Sequence, residues 1–119
     1  MATANTMKPA SDVSEFHAHI YYQPHTKSTV EALRSAMQQI AGRRLKIHSL
    51  SDGPRGPHVT PMFGVDIPKA DLAEVLGFLM LNRDPHSVLI HPVTSNELLD
   101  HRHHASWLGL PHPLDLTHL

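Results

Sequence analysis

Residues 16–22 read FHAHIYY, and apolar and polar side chains alternate through most of this stretch. A period of two in residues that favour extended backbone is typical of a β-strand with one buried face. We therefore expect the apolar side chains to face a core, while His17 and His19 emerge together on the opposite face.

Two helices are predicted farther along the chain. Ser28 and Glu31 have the spacing of a capping box, apolar residues then recur at helical spacing, and Gly42 supplies a C-terminal stop. A second apolar stripe at helical spacing follows Pro68, which is well placed in a first helical turn, and it ends at residues 82–85, NRDP.

Three further strands are predicted at residues 44–50, 58–67 and 86–91, and residues 51–57, SDGPRGP, form a turn between the first two. The order strand, helix, strand, strand, helix, strand predicts an α+β, ferredoxin-like βαββαβ sandwich. Two helices would cover one face of a four-stranded antiparallel sheet of order 4-1-3-2. The first strand would be central and would lie beside the fourth.

We expect one domain over residues 16–119, since 119 residues with 40% hydrophobic content suit a single core. Residues 1–15 are predicted to be a disordered leader, because they are small and polar and lack the apolar core of a signal peptide. Residues 93–119, with a possible short helix at 97–100, are predicted to cover the open face of the sheet.

The composition argues against several classes of function. Ten Lys+Arg against eleven Asp+Glu give a formal charge of −1, so nucleic acid is not an expected partner. An RNA-binding module of the same strand order is also disfavoured, since the outward face carries His and Gly instead of aromatic residues. The chain has no cysteine, which excludes disulfides and thiol catalysis and is compatible with a cytoplasmic location. The longest apolar run, residues 72–81, is too short to span a membrane.

Histidine is the functional signal, because its 12 copies outnumber lysine and arginine together. His17 and His19 lie two residues apart on the predicted central strand and could bind one metal ion, although exposed polar residues of an amphipathic strand show the same pattern. His91 ends the neighbouring fourth strand and would approach both, which predicts a three-histidine metal site with open positions. Taken alone, His91 also fits a strand-end residue before Pro92.

Four other side chains are candidates for the same face. His58 begins the third strand at the end that the predicted sheet places far from His17, so we expect it in a pocket or in a solvated loop. His101 could hang over the open face as an acid or base, or end a solvated helix. Asp66 lies on the outward-facing positions of the predicted third strand, so it could join a metal site, and it could equally cap the second helix. Tyr21 shares the histidine face and could contact a ligand ring.

Five short motifs in order resemble one known family. They are FHAHIYY at 16–22, GPH at 56–58, SVLIHP at 87–92, DH at 100–101 and ASWLG at 105–109. Together they are similar to the DOPA 4,5-dioxygenase family, and the resemblance runs from about residue 16 to residue 116.

The resemblance implies a homodimer that cleaves the ring of a catechol such as L-DOPA with O₂, in extradiol 4,5-fashion, at a non-haem Fe²⁺. His17, His19 and His91 would hold the iron, and zinc or nickel could fill the same site in a crystal. His101 or His58 would take up and return a substrate proton, and Tyr21 and His58 would contact the substrate. The alternative is a non-catalytic protein of the same fold that binds a metal or a small aromatic acid.

Overall fold

A computed structural model describes residues 7–119 of the protein, and for Arg43 the backbone alone. The described residues form one sheet and a set of helices. The strands are β1 (Glu15–Tyr21), β2 (Lys46–Ile47), β3 (Met62–Pro68), β4 (Val88–Pro92) and β5 (Ser106–Leu108), and the α-helices are α1 (Lys27–Met37), α2 (Leu72–Asn82) and α3 (Glu97–Asp100).

The sheet has the order β2-β3-β1-β4-β5, and all of its neighbouring strands are antiparallel. The predicted α+β class is confirmed, but the predicted four-stranded sheet is not, because a fifth strand extends it. β5 pairs with β4 so that Leu89 lies opposite Trp107. A strand of three residues is too short to give a recognisable alternation in the sequence, which is why it escapes prediction.

One face of the sheet carries the main apolar core. Ala18 and Ile20 of β1 are fully buried there, as the alternation in this strand predicts. The helices pack on this face with buried side chains from α1 and α2, namely Val30, Leu33, Met37, Val75 and Leu79. Burial of each such side chain contributes about 1.5–3 kcal/mol to folding. The histidines of β1 must therefore lie on the other face.

The other face carries a smaller apolar cluster. Tyr21, Met62 and Leu89 are buried on it, and Trp107 and Leu114 from the C-terminal stretch pack against them. This cluster occupies only part of the face. The remainder is open to the histidine side chains.

The second and third strands are shorter than predicted. β2 is two residues long and does not fill the predicted range 44–50, and β3 begins at Met62 instead of His58. The chain at 51–61 leaves the sheet because prolines and glycines interrupt its pairing. Its contacts are isolated bridges, in which His58 pairs with both Arg55 and Leu114.

The chain before α1 is capped differently from the prediction. Gln23 and Thr26 form the capping box, and Ser28 and Glu31 do not. Pro24 opens a 3-10 turn one turn earlier than expected, so that Ser28 already lies inside α1.

The predicted leader, residues 1–15, falls partly outside the described residues, which begin at residue 7. Within it, Ala10–Asp12 form a 3-10 helix and Glu15 begins β1. Lys69 Nζ donates to the carbonyl oxygen of Ala10 at 2.7 Å, so this segment is tied to the fold. Among the described residues, no helix combines the length and the apolar character that a membrane crossing needs.

Candidate metal centre and cavity

Five histidine rings lie together on the open face of the sheet, and we call them the histidine cluster: His17, His19, His58, His91 and His101. His19 is at its centre. Its ring centroid lies 4.0 Å from that of His58, 5.2 Å from His91, 6.1 Å from His101 and 6.2 Å from His17.

Strand pairing brings the predicted metal triad together. His17 of β1 lies directly opposite His91 of β4, and His19 follows two residues later on the same face. One ring nitrogen from each of the three lies within 4.8 Å of the others, and His19 Nε2 is 3.1 Å from His91 Nε2. Two nitrogens bound at about 2.1 Å to one ion, at 90–110° to each other, would be about 3.0–3.4 Å apart. The observed spacing therefore suits two ligands of a single ion.

Hydrogen bonds to backbone carbonyls orient two of the cluster rings. His91 Nδ1 donates to the carbonyl oxygen of Pro92 at 2.8 Å, and His101 Nδ1 donates to that of Glu97 at 2.8 Å. Each bond places the proton on Nδ1 and leaves the Nε2 lone pair available. Metal-binding histidines are commonly oriented in this way.

Burial keeps the central imidazoles neutral. It lowers the pKa of His19 well below its usual value, and the neighbouring His58 and His91 lower it further. Burial also lowers the pKa of His58 and of His91 to about 4, with smaller contributions from His101. Neutral imidazole is the form that binds a metal, so His19, His58 and His91 can each do so at neutral pH.

One buried nitrogen at the centre of the cluster lacks a partner. His19 Nδ1 has no hydrogen bond among residues 7–119. A buried polar atom in this condition costs about 1–3 kcal/mol, which is tolerated more readily where a ligand completes the site. If Nε2 of His19 bound a metal, Nδ1 would carry the ring proton, and it is the neutral rings and the spacing of the two Nε2 atoms that fit an ion such as Fe²⁺.

His58 is where the structure corrects the sequence-based placement most. The predicted sheet puts it far from His17, whereas its ring lies against that of His19, and His19, His58 and His101 form a second triad within 4.8 Å. The reason is that residues 51–61 fold back over the sheet instead of continuing β3. The cluster thus offers two overlapping triads that share His19.

Asp66 lies beside the cluster and does not cap a helix, since α2 begins only at Leu72. It sits opposite His17 in the sheet, and His17 Nε2 lies 3.2 Å from its Oδ1 and 3.0 Å from Glu15 Oε2. His48 Nε2, which the sequence reasoning missed, lies 3.0 Å from the same oxygen of Asp66. The alternation of residues 44–50 was the signal that could have placed His48 on this face.

Tyr21 is buried next to the histidine cluster and contacts His58. It is only 1% exposed, and its hydroxyl lies 2.7 Å from His58 Nδ1, within hydrogen-bonding distance. Its ring stacks on Trp107 and His112 at centroid distances of 5.5 Å and 5.1 Å. Tyr21 is not among the residues that line the cavity beside the histidine cluster and is linked to it through His58, so its direct contact with a substrate stays a prediction.

A cavity of about 490 Å³ opens next to the cluster. Its walls include three cluster histidines together with His48, Arg55 and Asp66. A volume in this range accommodates a small aromatic molecule. The arrangement therefore combines neutral imidazoles that could hold a metal ion with space for a ligand.

Known proteins are similar to this chain in sequence. The model of the family described as "Dopa 4,5-dioxygenase family" matches residues 16–118. A protein of Amanita muscaria named DOPA 4,5-dioxygenase is 31% identical over 116 residues, which cover 92% of this chain and 51% of that protein. An uncharacterised 21.2 kDa protein of Botryotinia fuckeliana is 33% identical over 112 residues, which cover 86% of this chain and 61% of that protein. The chain thus spans about half to three fifths of the length of these two relatives.

A solved structure shows the same fold. The crystal structure of a protein from Nostoc punctiforme, described as a "putative dioxygenase", superposes with a TM-score of 0.88 at 26% sequence identity. The match covers 92% of this chain and 94% of that one.

Proposed function

Because the chain belongs to the Dopa 4,5-dioxygenase family, we propose that it is a non-haem iron dioxygenase that cleaves the ring of a catechol such as L-DOPA with O₂, in extradiol 4,5-fashion. The observation that supports this most is the approach of His19 Nε2 to His91 Nε2, at 3.1 Å, beside a cavity of about 490 Å³. Family membership supports an oxygenase, and the cluster of histidines beside a cavity supports ring cleavage at an iron centre as its reaction.

The proposed iron ligands are His17, His19 and His91. Three imidazole ligands leave open coordination positions, as oxygen-using iron sites require. When bound, Fe²⁺ would supply the binding of O₂ and of both catechol oxygens and would lower the pKa of the phenol groups. Since His19 belongs to both triads of the cluster, it is the ligand that either arrangement needs.

His58 is the proposed acid–base residue. It lines the cavity, and with a pKa of about 4 its imidazole is neutral at pH 7 and able to accept a proton from the catechol. Tyr21 fixes the ring through its hydroxyl. His101 is the second candidate, since its bond to Glu97 leaves Nε2 free to accept a proton.

Anaerobic loading with Fe²⁺, followed by oxygen uptake and product spectra with L-DOPA, tests the proposal. We expect His19→Ala to lose bound iron, and His58→Ala to keep iron while kcat falls by about 10²–10⁴-fold. His25→Ala is the matched control, because His25 is exposed and outside the cluster.

Two results would contradict the proposal: full iron content in His19→Ala, or a stoichiometrically loaded protein that consumes no oxygen with any catechol. The alternative, a non-catalytic binding protein, predicts that iron or an aromatic acid binds without oxygen uptake. The same measurements therefore distinguish the two functions.

A further inference from the structure

Arg55 is held beside His58 by a tight turn. The Arg55 amide donates to the carbonyl oxygen of His58 at 2.9 Å, and the His58 amide donates to that of Arg55 at 3.0 Å. Gly56 between them has a φ of 56°, which glycine adopts at little cost. The turn fixes a cationic residue and a cluster histidine in one unit, and both line the cavity.

Arg55 has no carboxylate partner among residues 7–119. Within the described part of the chain, its exposed guanidinium makes no ion pair and no side-chain hydrogen bond. Asp66, which lines the same cavity, is already engaged by His17 and His48. Arg55 thus brings to the wall of the cavity a positive charge that no described carboxylate neutralises.

A guanidinium is suited to one kind of partner. Its planar fork of N–H groups matches a carboxylate, which it binds through two parallel hydrogen bonds. A catechol held through its two adjacent oxygens at the histidine end directs a substituent on the far side of its ring away from that end. A carboxylate on such a substituent would be a partner for Arg55, which lines the same cavity.

We propose that Arg55 forms an anion subsite that binds the side-chain carboxylate of the substrate and selects carboxylate-bearing catechols over neutral ones. The inference rests on the proposed function of the cavity and adds to it the residue that determines specificity. It depends on the turn at Gly56 as well as on the charge, because the turn fixes where the Arg55 backbone lies.

The test compares 3-(3,4-dihydroxyphenyl)propanoate with 4-ethylcatechol, which lacks the carboxylate. Calorimetry measures the binding of each to the iron-loaded protein without oxygen, and oxygen uptake gives kcat/KM. For the propanoate, we expect Arg55→Gln to lower the binding affinity and kcat/KM about 10- to 100-fold each. For 4-ethylcatechol, we expect both to fall less than about twofold. Arg55→Lys should restore part of the loss, since it keeps the charge without the fork.

Lys27→Gln is the matched control, because it removes one positive charge outside the cavity, from an ion pair with Asp52. Equal losses for both catechols in Arg55→Gln, equal binding of both by the wild-type protein, or no binding of either would each overturn the inference. A preference for the propanoate in binding that Arg55→Gln abolishes, together with no oxygen uptake, would support the subsite and overturn the oxygenase proposal instead.

Discussion

At the scale of single residues, Tyr21 belongs to the smaller apolar cluster, and its hydroxyl contacts His58, which lines the cavity. Burial raises the pKa of Tyr21 above its usual value, so the hydroxyl stays protonated beside His58 Nδ1 at 2.7 Å. Tyr21→Phe removes this partner from a buried imidazole. We expect it to lower the unfolding free energy by about 1 kcal/mol, to leave the iron content unchanged and to reduce kcat, because the His58 ring is less well oriented.

Tyr22 provides the matched control for this prediction. It is also buried, its hydroxyl donates to Asp52, and its ring belongs to the core under the helices. Tyr22→Phe should lower stability by a similar amount in urea denaturation and leave kcat unchanged. If both substitutions reduced kcat alike, the orienting role of Tyr21 would be wrong.

At the scale of elements, the sheet could be predicted from the sequence where strands alternate regularly. β1 carries its own pattern, and its pairing with β4 follows from the topology, so the approach of His17, His19 and His91 was predictable. The position of His58 was not, because it depends on a bridge to Leu114 near the far end of the chain. Neighbouring residues contain no information about such a contact.

The conformation of the segment that follows β4 is held by hydrogen bonds to one buried carboxylate. Asp100 is 2% exposed and accepts hydrogen bonds from the amide of Thr94 at 2.8 Å, from its hydroxyl at 2.6 Å and from His104 Nδ1 at 3.0 Å. These bonds close the turn that presents His101. We expect Asp100→Ala to lower the unfolding free energy by about 1–3 kcal/mol, since it leaves the partly buried donors of Thr94 and His104 without an acceptor.

Hydrogen exchange would locate this effect, with faster exchange over residues 94–104 than over β1. Asp115→Ala is the comparison, because Asp115 accepts bonds from Thr117 in an exposed turn. It should change stability by less than about 1 kcal/mol. Equal effects of the two substitutions would show that Asp100 does not hold the segment.

At the scale of the whole molecule, the two faces of the sheet have different roles. The face under α1 and α2 is filled by apolar side chains, whereas the opposite face combines a small apolar cluster with five histidines. The free energy of folding must therefore offset the cost of removing several imidazoles from water. The homodimer stays a prediction. Leu81 of α2, which is 86% exposed, is one apolar side chain that a second copy could cover.

The buried imidazoles make the stability of the metal-free protein depend on pH. The pKa of His58 and of His91 is about 4 in the folded protein, against 6.5 in an unfolded chain. Between these values the unfolded chain binds more protons, so the unfolding free energy is highest above pH 6.5 and decreases as the pH falls towards 4.

Urea denaturation of metal-free protein between pH 7 and pH 4.5 measures this dependence. We expect the unfolding free energy to fall by at least about 2 kcal/mol, since each pKa unit corresponds to about 1.4 kcal/mol. Carboxylates such as Asp100, whose pKa lies below 3.8, lose their stabilising bonds only at lower pH, so this window reports on the histidines. His58→Gln, which cannot take up a proton, should flatten the curve, while His25→Ala should not. A wild-type stability that stays constant across the window would mean that the cluster is hydrated, and buried neutral imidazoles would then no longer support a metal centre.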